Sequence, residues 1–341
     1  MRKEALPEQW SELYELTAQL KKLEPWKDFW DMDLLVICPN GRKEPFFCSV
    51  MGKGGACYGI SVYKGFEGLK DFEMLADAEM TGMSPEYVMY EQNNLTCYWG
   101  DREELPTEQK KMIRELGLKF RGRGEWPFFF SFKKRYVPYT PDADEVKDLI
   151  LVYRGLIAVF QAYREKEVSV DYENGEFLWY IYHDKEKQWR YEIHGMPEDA
   201  GWDYPLVELE DEILKKKLQK RPAVDGELQV DYVYLNGSVK EERYDRPVNP
   251  LAFLVVEGKS GMVVTVDIIK PEENEIDIVL SFFVQFIEQV GRIRTVKARN
   301  PWILSALQDL CEYCGIELLN EDMPELEEAV DSMKEYMGGT H

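Results

Sequence analysis

The C-terminal quarter of the chain carries a regular alternation of strand and helix signals. Two β-branched, apolar runs at residues 251–256 and 262–269 flank a glycine-containing turn, which predicts a hairpin. Helices and strands then alternate, with capping residues, prolines or glycines marking their ends. The predicted segments are a helix at 275–290, a strand at 293–298, a helix at 302–314, a strand at 316–319 and a helix from Pro324. This β-β-α-β-α-β-α order predicts an α/β domain whose later strands are parallel and joined by right-handed crossovers.

The pattern from about residue 251 to residue 316 resembles the RNase H-like core of retroviral-type integrases and transposases. The resemblance rests on the hairpin, on the helix ending at Val290-Gly291, and on the strand-helix block ending at Cys314-Gly315-Ile316. It implies that a carboxylate on the first strand and another just after the fourth strand hold two metal ions for phosphodiester cleavage. One strand of the full fold is not accounted for by the pattern.

The residues near the implied metal positions argue against such catalysis. The first-strand neighbourhood offers Glu257, which is expected in a turn, and the fourth strand is followed by Arg299. A guanidinium cannot ligate Mg²⁺ and repels it. Asp267 and Asp309 remain, with Glu257, as weak candidates for metal ligands. We therefore expect residues 246–341 to form a degenerate RNase H-like α/β domain with no catalytic residue and no cofactor.

Residues 1–245 are expected to form an α+β N-terminal region of unknown function. Helices are predicted at 7–24, from 65, at 106–116, from 141 (with Thr140 as N-cap and Pro141 in the first position) and at 211–220. Strands are predicted at 34–38, 46–51 and 58–63, with a hairpin at 87–90 and 95–99. The stretch 168–235 is strand-rich and either belongs to this region or forms a separate subdomain. A polar, proline-containing segment at 237–250 is the expected linker.

Several short strings resemble a bacterial family of uncharacterised proteins that pair two domains of unknown function. They are found at residues 58–63, 116–123, 126–127 and 136–138, and the strand-helix block through 326–329 resembles the partner domain. The resemblance covers the whole chain. It implies a domain order and a fold, and it implies no activity.

The charge balance restricts the classes of partner. The chain has 64 Asp and Glu against 42 Lys and Arg, a formal net charge of −22. Such a surface repels phosphate backbones and anionic membranes, so broad nucleic-acid binding and membrane binding are not expected. The first residues lack the apolar stretch of a signal peptide, and the six cysteines suit reduced thiols. These features predict a soluble, acidic, cytoplasmic protein.

One segment, residues 119–136, departs from this acidic background. It has six basic residues against one acidic residue, and it also contains seven aromatic residues. Aromatic and basic side chains together are typical of surfaces that bind single-stranded nucleic acids or nucleotides. The candidate binding residues are Arg121, Arg123, Trp126, Lys133, Lys134 and Arg135. The alternative interpretation is a strand whose aromatic rings fill the core while its cations pair with carboxylates or extend to solvent.

A CxxC motif at Cys311 and Cys314 also has two interpretations. Redox pairs of this spacing use a helix N-terminus to lower the thiol pKa, whereas these cysteines fall at the end of a predicted helix. A zinc site would need two further ligands, and the sequence has no second CxxC or CxxH. Structural thiols are therefore expected.

No complete catalytic set is evident in either predicted domain. The leading hypothesis is a non-enzymatic intracellular binding or interaction protein, with a protein partner or a weak nucleic-acid contact. The alternatives are a divergent metal-dependent nuclease or phosphotransferase, and nucleic-acid or nucleotide binding through residues 119–136.

Overall fold

The computed structural model describes residues 2–197, 201–204 and 206–338. The α-helices in chain order are α1 (Pro7–Leu23), α2 (Gly65–Ala76), α3 (Ala78–Thr81), α4 (Pro85–Tyr90), α5 (Thr107–Glu115), α6 (Ala143–Arg164), α7 (Glu212–Gln219), α8 (Glu275–Gln289), α9 (Pro301–Cys314) and α10 (Pro324–Gly338). Among these described residues, no helix combines the length and the apolar character needed to cross a bilayer.

The strands in chain order are β1 (Leu35–Cys38), β2 (Phe46–Met51), β3 (Gly59–Lys64), β4 (Asn94–Gly100), β5 (Trp126–Phe132), β6 (Glu176–His183), β7 (Gln188–Gly195), β8 (Ala223–Tyr234), β9 (Leu251–Glu257), β10 (Val263–Ile269), β11 (Arg292–Lys297) and β12 (Glu317–Leu319). They form two sheets, and the chain divides into two compact units. The first unit comprises residues 1–76, 92–133 and 138–202, and the second comprises residues 77–91, 134–137 and 203–341.

The first unit is built on a mixed sheet with the strand order β5-β4-β3-β2-β1-β6-β7. The pair β1 and β6 is parallel and the other described pairs are antiparallel. Because successive side chains on a strand point to opposite faces, Leu35 and Ile37 join the core under α1 and α6, whereas Val36 packs with α2 on the other face. Strand β5, with its run of phenylalanines, lies at one edge of the sheet.

Two predicted elements of the chain differ from the structure. Helix α6 begins at Ala143 and not at Pro141, because the Asp142 carboxylate accepts hydrogen bonds from the first-turn amides of Asp144 and Glu145, which makes it the N-cap. Residues 87–90, predicted as a strand, lie in helix α4, which has Pro85 in its first turn, where the fixed φ of proline suits a helix.

The second unit contains a five-stranded sheet with the order β10-β9-β8-β11-β12. Strands β8, β9 and β10 are antiparallel neighbours, and β11 runs parallel to β8 and β12 parallel to β11. Helix α10 packs on one face of the sheet against Leu254 and Val256. On the opposite face Phe253 contacts Phe282 of α8. Three antiparallel strands followed by two parallel strands, with the first strand in the middle, form an RNase H-like α/β sheet.

Strand β8 is the strand that the sequence pattern did not account for. It pairs with β9 through residues 228–234 and with β11 through residues 223–229, so it is the central strand of the second sheet. The strand-rich stretch 168–235 is therefore divided, with β6 and β7 in the first sheet and β8 in the second. The boundary expected at 245/246 falls after this first strand, and the order becomes β-β-β-α-β-α-β-α.

The turn from α8 into β11 requires a glycine. Gly291 has a φ of +133°, and a Cβ at this position would lie 2.6 Å from the carbonyl oxygen of Pro222. The contact is with backbone, which cannot rotate away as a side chain can. Gly291 thus allows the crossover helix α8 to end close to β8, the strand beside which β11 then runs.

Candidate functional site

The second sheet has a topological switch point between β8 and β11. From β8 the chain proceeds to β9 and β10 on one side, and then returns to β11 and β12 on the other side. Ligands of open α/β sheets bind at such points, outside the carboxyl ends of the strands. A cavity of about 280 Å³ lies at this place, lined by residues of β8, by Arg299 just after β11, by residues 82–86 and by α10. It is the candidate functional site.

Helix α10 is held on β8 by a side-chain amide. The Gln229 Oε1 accepts a hydrogen bond of 3.0 Å from the backbone N–H of Leu326, at the first turn of the helix. Since Asp231 lies two residues after Gln229 on the strand, both side chains point to the face that α10 covers. This arrangement places Glu327 of α10 and Asp231 of β8 in the lining of one cavity.

Asp231 is the most unusual residue of this cavity. It is only 5% exposed, and its Oδ1 accepts a 2.8 Å hydrogen bond from the backbone N–H of Tyr232. No Lys, Arg or His among the described residues forms an ion pair with it. Burial raises the pKa of Asp231 to about 6, while the Tyr232 amide and the charge of Arg299 oppose the rise and Glu327 adds to it.

Arg299 supplies the cation of the site. Its Nη1 lies 2.8 Å from the Glu327 Oε1, and Asn300, the next residue, caps α9 by accepting a hydrogen bond from the Trp302 amide. The cap fixes the chain where β11 ends, so the Arg299 side chain is held at the mouth of the switch point. This is the position at which the RNase H-like resemblance implies a metal-binding carboxylate.

The remaining charged groups of the cavity form a second pair and one single carboxylate. The Lys334 Nζ pairs with the Glu86 carboxylate, which also accepts a hydrogen bond from the Asn236 side chain. Asp331 on α10 is exposed at the rim. The lining thus contains four carboxylates and two cations, a formal charge of −2 when all are ionised.

The three weak metal candidates are not brought together. Glu257 at the end of β9 accepts hydrogen bonds from Ser260 in the following turn. Asp267 on β10 pairs in register with Phe253, which lies four residues, or about 13 Å, from Glu257 along β9. Asp309 on α9 accepts a hydrogen bond from the Leu209 amide and lies near Lys215. Within the described ranges no group of three or more His, Cys, Asp or Glu could hold a metal ion.

The sequence pattern did not single out Asp231 and Glu327. The error came from taking β9 as the first strand, which removed β8 from the search for carboxylates. A usable signal was present: Asp231 is a lone acid within the run Val230-Asp231-Tyr232-Val233-Tyr234, where β-branched and aromatic residues indicate a buried strand.

The aromatic residues of segment 119–136 mostly face the core of the first unit. Phe128, Phe129 and Phe132 are buried in or beside β5, and the Phe128 and Phe130 rings meet edge to face at 80°. Trp126 is half-buried, with its ring 5.8 Å from that of Phe120. Stacked bases require open, parallel ring faces. The arrangement therefore favours the core interpretation of these rings.

The basic candidates of the same segment lie in different environments. Arg121, Arg123 and Lys133 are exposed and Lys134 is half-buried. Arg135 is buried in the second unit, where it pairs with Glu91 and Glu275. A guanidinium enclosed by two carboxylates is not accessible to a phosphate, so Arg135 has a structural role.

The two cysteines of the CxxC motif lie on the last turn of α9 and are buried. Burial raises the pKa of the Cys311 thiol to about 12, with a further contribution from Cys314, and burial also raises the pKa of Cys314 against the opposing charge of Arg292. Buried thiols with raised pKa values react slowly, because the thiolate is the nucleophile.

We expect the native protein to show one fast thiol in a titration with 5,5′-dithiobis(2-nitrobenzoate) at pH 8. Cys57 is exposed, whereas the other cysteines are buried or half-buried, so the fast phase should disappear in Cys57→Ser. The other thiols should react only after denaturation. Fast labelling of Cys311 or Cys314 in the native state would contradict the structural interpretation of the CxxC motif.

Comparisons with known proteins match two regions of the chain to family models. Residues 10–180, which are half of the chain, match the family model described as domain of unknown function DUF7309, and residues 214–334 match domain of unknown function DUF6930. No curated protein matches. One matching solved structure is entitled "Crystal structure of catalytic core domain of BIV integrase in crystal form I", with 20% identity, a TM-score of 0.23, and coverage of 34% of this chain and 73% of that chain.

The two family-model matches agree with the paired-domain resemblance expected from the sequence, and the RNase H-like assignment rests on the strand order and directions of the second sheet. The DUF6930 match begins before β8, so it includes the central strand and both sides of the switch point. The chain belongs to the DUF7309 family and carries a DUF6930 domain behind the DUF7309 domain.

Proposed function

We propose that this chain is a non-catalytic binding protein of the bacterial cytoplasm, whose RNase H-like domain binds a ligand at the switch-point cavity without metal chemistry. The observation that carries the proposal is Arg299. Its guanidinium lies among the cavity carboxylates and pairs with Glu327, so the protein itself provides the cation that this end of the sheet would otherwise take from solution. The high negative charge and the free cysteines support a reducing, intracellular location.

A guanidinium can balance charge, but it cannot replace the chemistry of a divalent ion. Mg²⁺ activates a bound water as a nucleophile and polarises the phosphoryl oxygen that it ligates. A guanidinium has no open coordination position, carries half the charge and remains protonated at all relevant pH values. Arg299 therefore neutralises Glu327 without supplying metal chemistry, and Asp231 and the cavity remain available for a ligand.

Arg299 also acts against any divalent ion that enters the cavity. At a separation of about 4 Å a unit cation and a divalent ion repel each other by several kcal/mol at the effective dielectric constant of partly buried sites. Glu327, which a metal would need, is already engaged by the Nη1 of Arg299. Binding a metal would have to break this ion pair and leave the guanidinium half-buried without a partner.

We expect Arg299→Asp to convert the cavity into a weak site for Mn²⁺. The substitution removes the internal cation and places a third carboxylate beside Asp231 and Glu327, which is the donor set that hard divalent ions prefer. Manganese binding can be measured by electron paramagnetic resonance of free Mn²⁺. A saturable, stoichiometric site is expected in the variant and only weak, multiple binding in the wild type.

A matched control is Arg294→Asp, which makes the same change of charge on β11, the strand that precedes Arg299. Arg294 is exposed and lies near Asp225, away from the cavity lining.

The wild type should also show no cleavage of single- or double-stranded DNA or RNA with Mg²⁺ or Mn²⁺. Metal-dependent cleavage by the wild type that disappears in Asp231→Asn would refute the proposed function.

A further inference from the structure

The charges of the switch-point cavity leave two carboxylates without a partner. Arg299 is neutralised by Glu327, and Lys334 is neutralised by Glu86. What remains is Asp231 on the floor and Asp331 at the rim, neither of which forms an ion pair with any residue in the described part of the chain.

The buried carboxylate is the stronger of these two features. Asp231 accepts one hydrogen bond, from its neighbour's amide, although a carboxylate has about four lone-pair positions. A charge buried to this degree is normally paired or neutral, because the solvation lost on burial must be replaced by a partner. The cavity that borders Asp231 gives a ligand the opportunity to be that partner.

Most of the other side chains in the lining are apolar, with Ser84 and Tyr232 as the uncharged polar residues. Met83, Pro85, Val233, Leu326 and Val330 line the cavity between the charged groups. These side chains cannot hydrogen-bond a polar ligand backbone or a sugar, but they suit methylene groups. The cavity thus combines an unpaired acid on its floor, an apolar wall and a second acid at its rim.

We propose that this cavity binds an alkylammonium ligand, with an ammonium group paired to Asp231 and its methylene chain against the apolar wall. The inference rests on the proposed binding function and gives that function a ligand class. A short diamine fits best, because its second ammonium group can reach toward the acidic rim at Asp331. An anionic ligand is disfavoured, since both cations of the lining are already engaged by carboxylates.

Affinity should depend on pH, because the ligand is a cation and Asp231 must be ionised to pair with it. The charged groups that share the cavity with Asp231 are Arg299 after β11, Glu86 on α4, and Glu327, Asp331 and Lys334 on α10. Since burial raises the pKa of Asp231 to about 6, binding should be weak at pH 5 and close to its maximum at pH 7.5. A bound ammonium group in turn lowers this pKa, so binding at pH 6 should release protons.

The test is isothermal titration calorimetry of the full chain with 1,4-diaminobutane in phosphate buffer at pH 7.5, which contains no competing amine. We expect saturable one-to-one binding of the diamine and no binding of the uncharged isostere 1,4-butanediol. In Asp231→Asn the affinity for the diamine should fall by about tenfold or more. Asp267→Asn, on the exposed strand β10, is the matched control and should bind as the wild type does.

Three outcomes overturn the inference: no diamine binding by the wild type, equal binding of the diol, or unchanged affinity in Asp231→Asn. A thermal melt of Asp231→Asn shows that a loss of binding is not a loss of folding. The failure of the inference and that of the proposed function are separable. A negative titration rejects the alkylammonium ligand and leaves the non-catalytic function standing, whereas metal-dependent cleavage rejects the function whatever the titration shows.

Discussion

Replacing Arg135 with methionine is expected to destabilise the second unit by about 3–5 kcal/mol. The substitution keeps an unbranched side chain of similar length and removes the charge and the hydrogen-bond donors. Arg135 has a positive φ of 67°. Because methionine and arginine are similar at Cβ, the backbone strain of this left-handed conformation is the same in both proteins. The measured difference therefore reports on the guanidinium.

The guanidinium holds together several segments of the second unit. Arg135 is 6% exposed, and its Nη1 donates hydrogen bonds to the carbonyl oxygens of Lys270 at 3.1 Å and Glu273 at 2.5 Å. Its Nη2 donates to the Glu275 carboxylate in the first turn of α8. Its Nε lies 3.5 Å from the Glu91 Oε1. Methionine cannot donate a hydrogen bond, so the two carbonyl oxygens and the Glu275 carboxylate lose the donor that Arg135 provides.

Glu91 makes the loss larger. Burial raises the pKa of this carboxyl group, while the charge of Arg135 and a 2.6 Å hydrogen bond from the Tyr234 hydroxyl oppose the rise. Without Arg135 the strongest opposing charge disappears, so Glu91 must either remain charged in an apolar environment or take up a proton. Both responses cost free energy at neutral pH.

Urea denaturation followed by circular dichroism measures the effect. Arg121→Met is the control, because Arg121 is exposed and a surface substitution of this kind changes stability by about 0.5 kcal/mol or less. Adding Glu91→Gln to Arg135→Met should recover part of the lost stability, because it removes the buried Glu91 carboxylate that no longer has an ion-pair partner. A loss below about 1 kcal/mol in Arg135→Met would show that the buried cluster is not a significant part of the stability.

The ends of the C-terminal helices could be predicted because the residues that determine them are close together in the sequence. Asn300 and Pro301 open α9 and Gly315 closes it with a positive φ, as the sequence predicts. Asn274, which the sequence analysis did not name, caps α8 by the same kind of hydrogen bond, from the Ile276 amide to its side chain. Caps of this kind depend on three or four consecutive residues, so no knowledge of the tertiary structure is needed to find them.

Sheet membership could not be predicted in this way. Sixteen residues separate the end of β8 from the start of β9, and β11 is farther away in the sequence. No local sequence feature distinguishes β8 from β6 and β7, which belong to the other sheet. The candidate site depends on this assignment, because Asp231 and Arg299 meet only when β8 and β11 are neighbours. Arg135 shows the same limitation, since its partners lie 44 residues before it and 140 residues after it.

Replacing Asp231 with asparagine is expected to raise the free energy of unfolding at pH 8 by about 1–3 kcal/mol. Most substitutions of a buried polar residue lower the stability of a protein. The side-chain Oδ1 of asparagine can still accept the Tyr232 amide, so the hydrogen bond of the native residue is retained. What disappears is a carboxylate buried without an ion pair. The net gain is smaller than the full cost of the charge, because the new amide group must also be buried.

The effect has a defined pH dependence. The pKa of Asp231 is about 6 in the folded protein, against an ordinary value of 3.8 in the unfolded chain. Between these values the folded state binds the proton more tightly, so the contribution of Asp231 to stability falls as the pH rises from about 4 to about 6 and is then constant. A gap of about two pH units corresponds to about 3 kcal/mol. Below pH 4 both states are protonated and this cost vanishes.

Urea denaturation of the wild type and of Asp231→Asn at pH 4, 5, 6 and 8 checks this expectation, because all other titrating groups cancel in the difference between the two proteins. The difference should be small at pH 4, grow through pH 5 and 6, and level off at pH 8. A natural protein that keeps a carboxylate at such a cost gains something other than stability from it, as strained and buried polar groups at functional sites commonly do. A variant less stable than the wild type at pH 8, or a difference that does not change with pH, would mean that Asp231 is a satisfied structural residue.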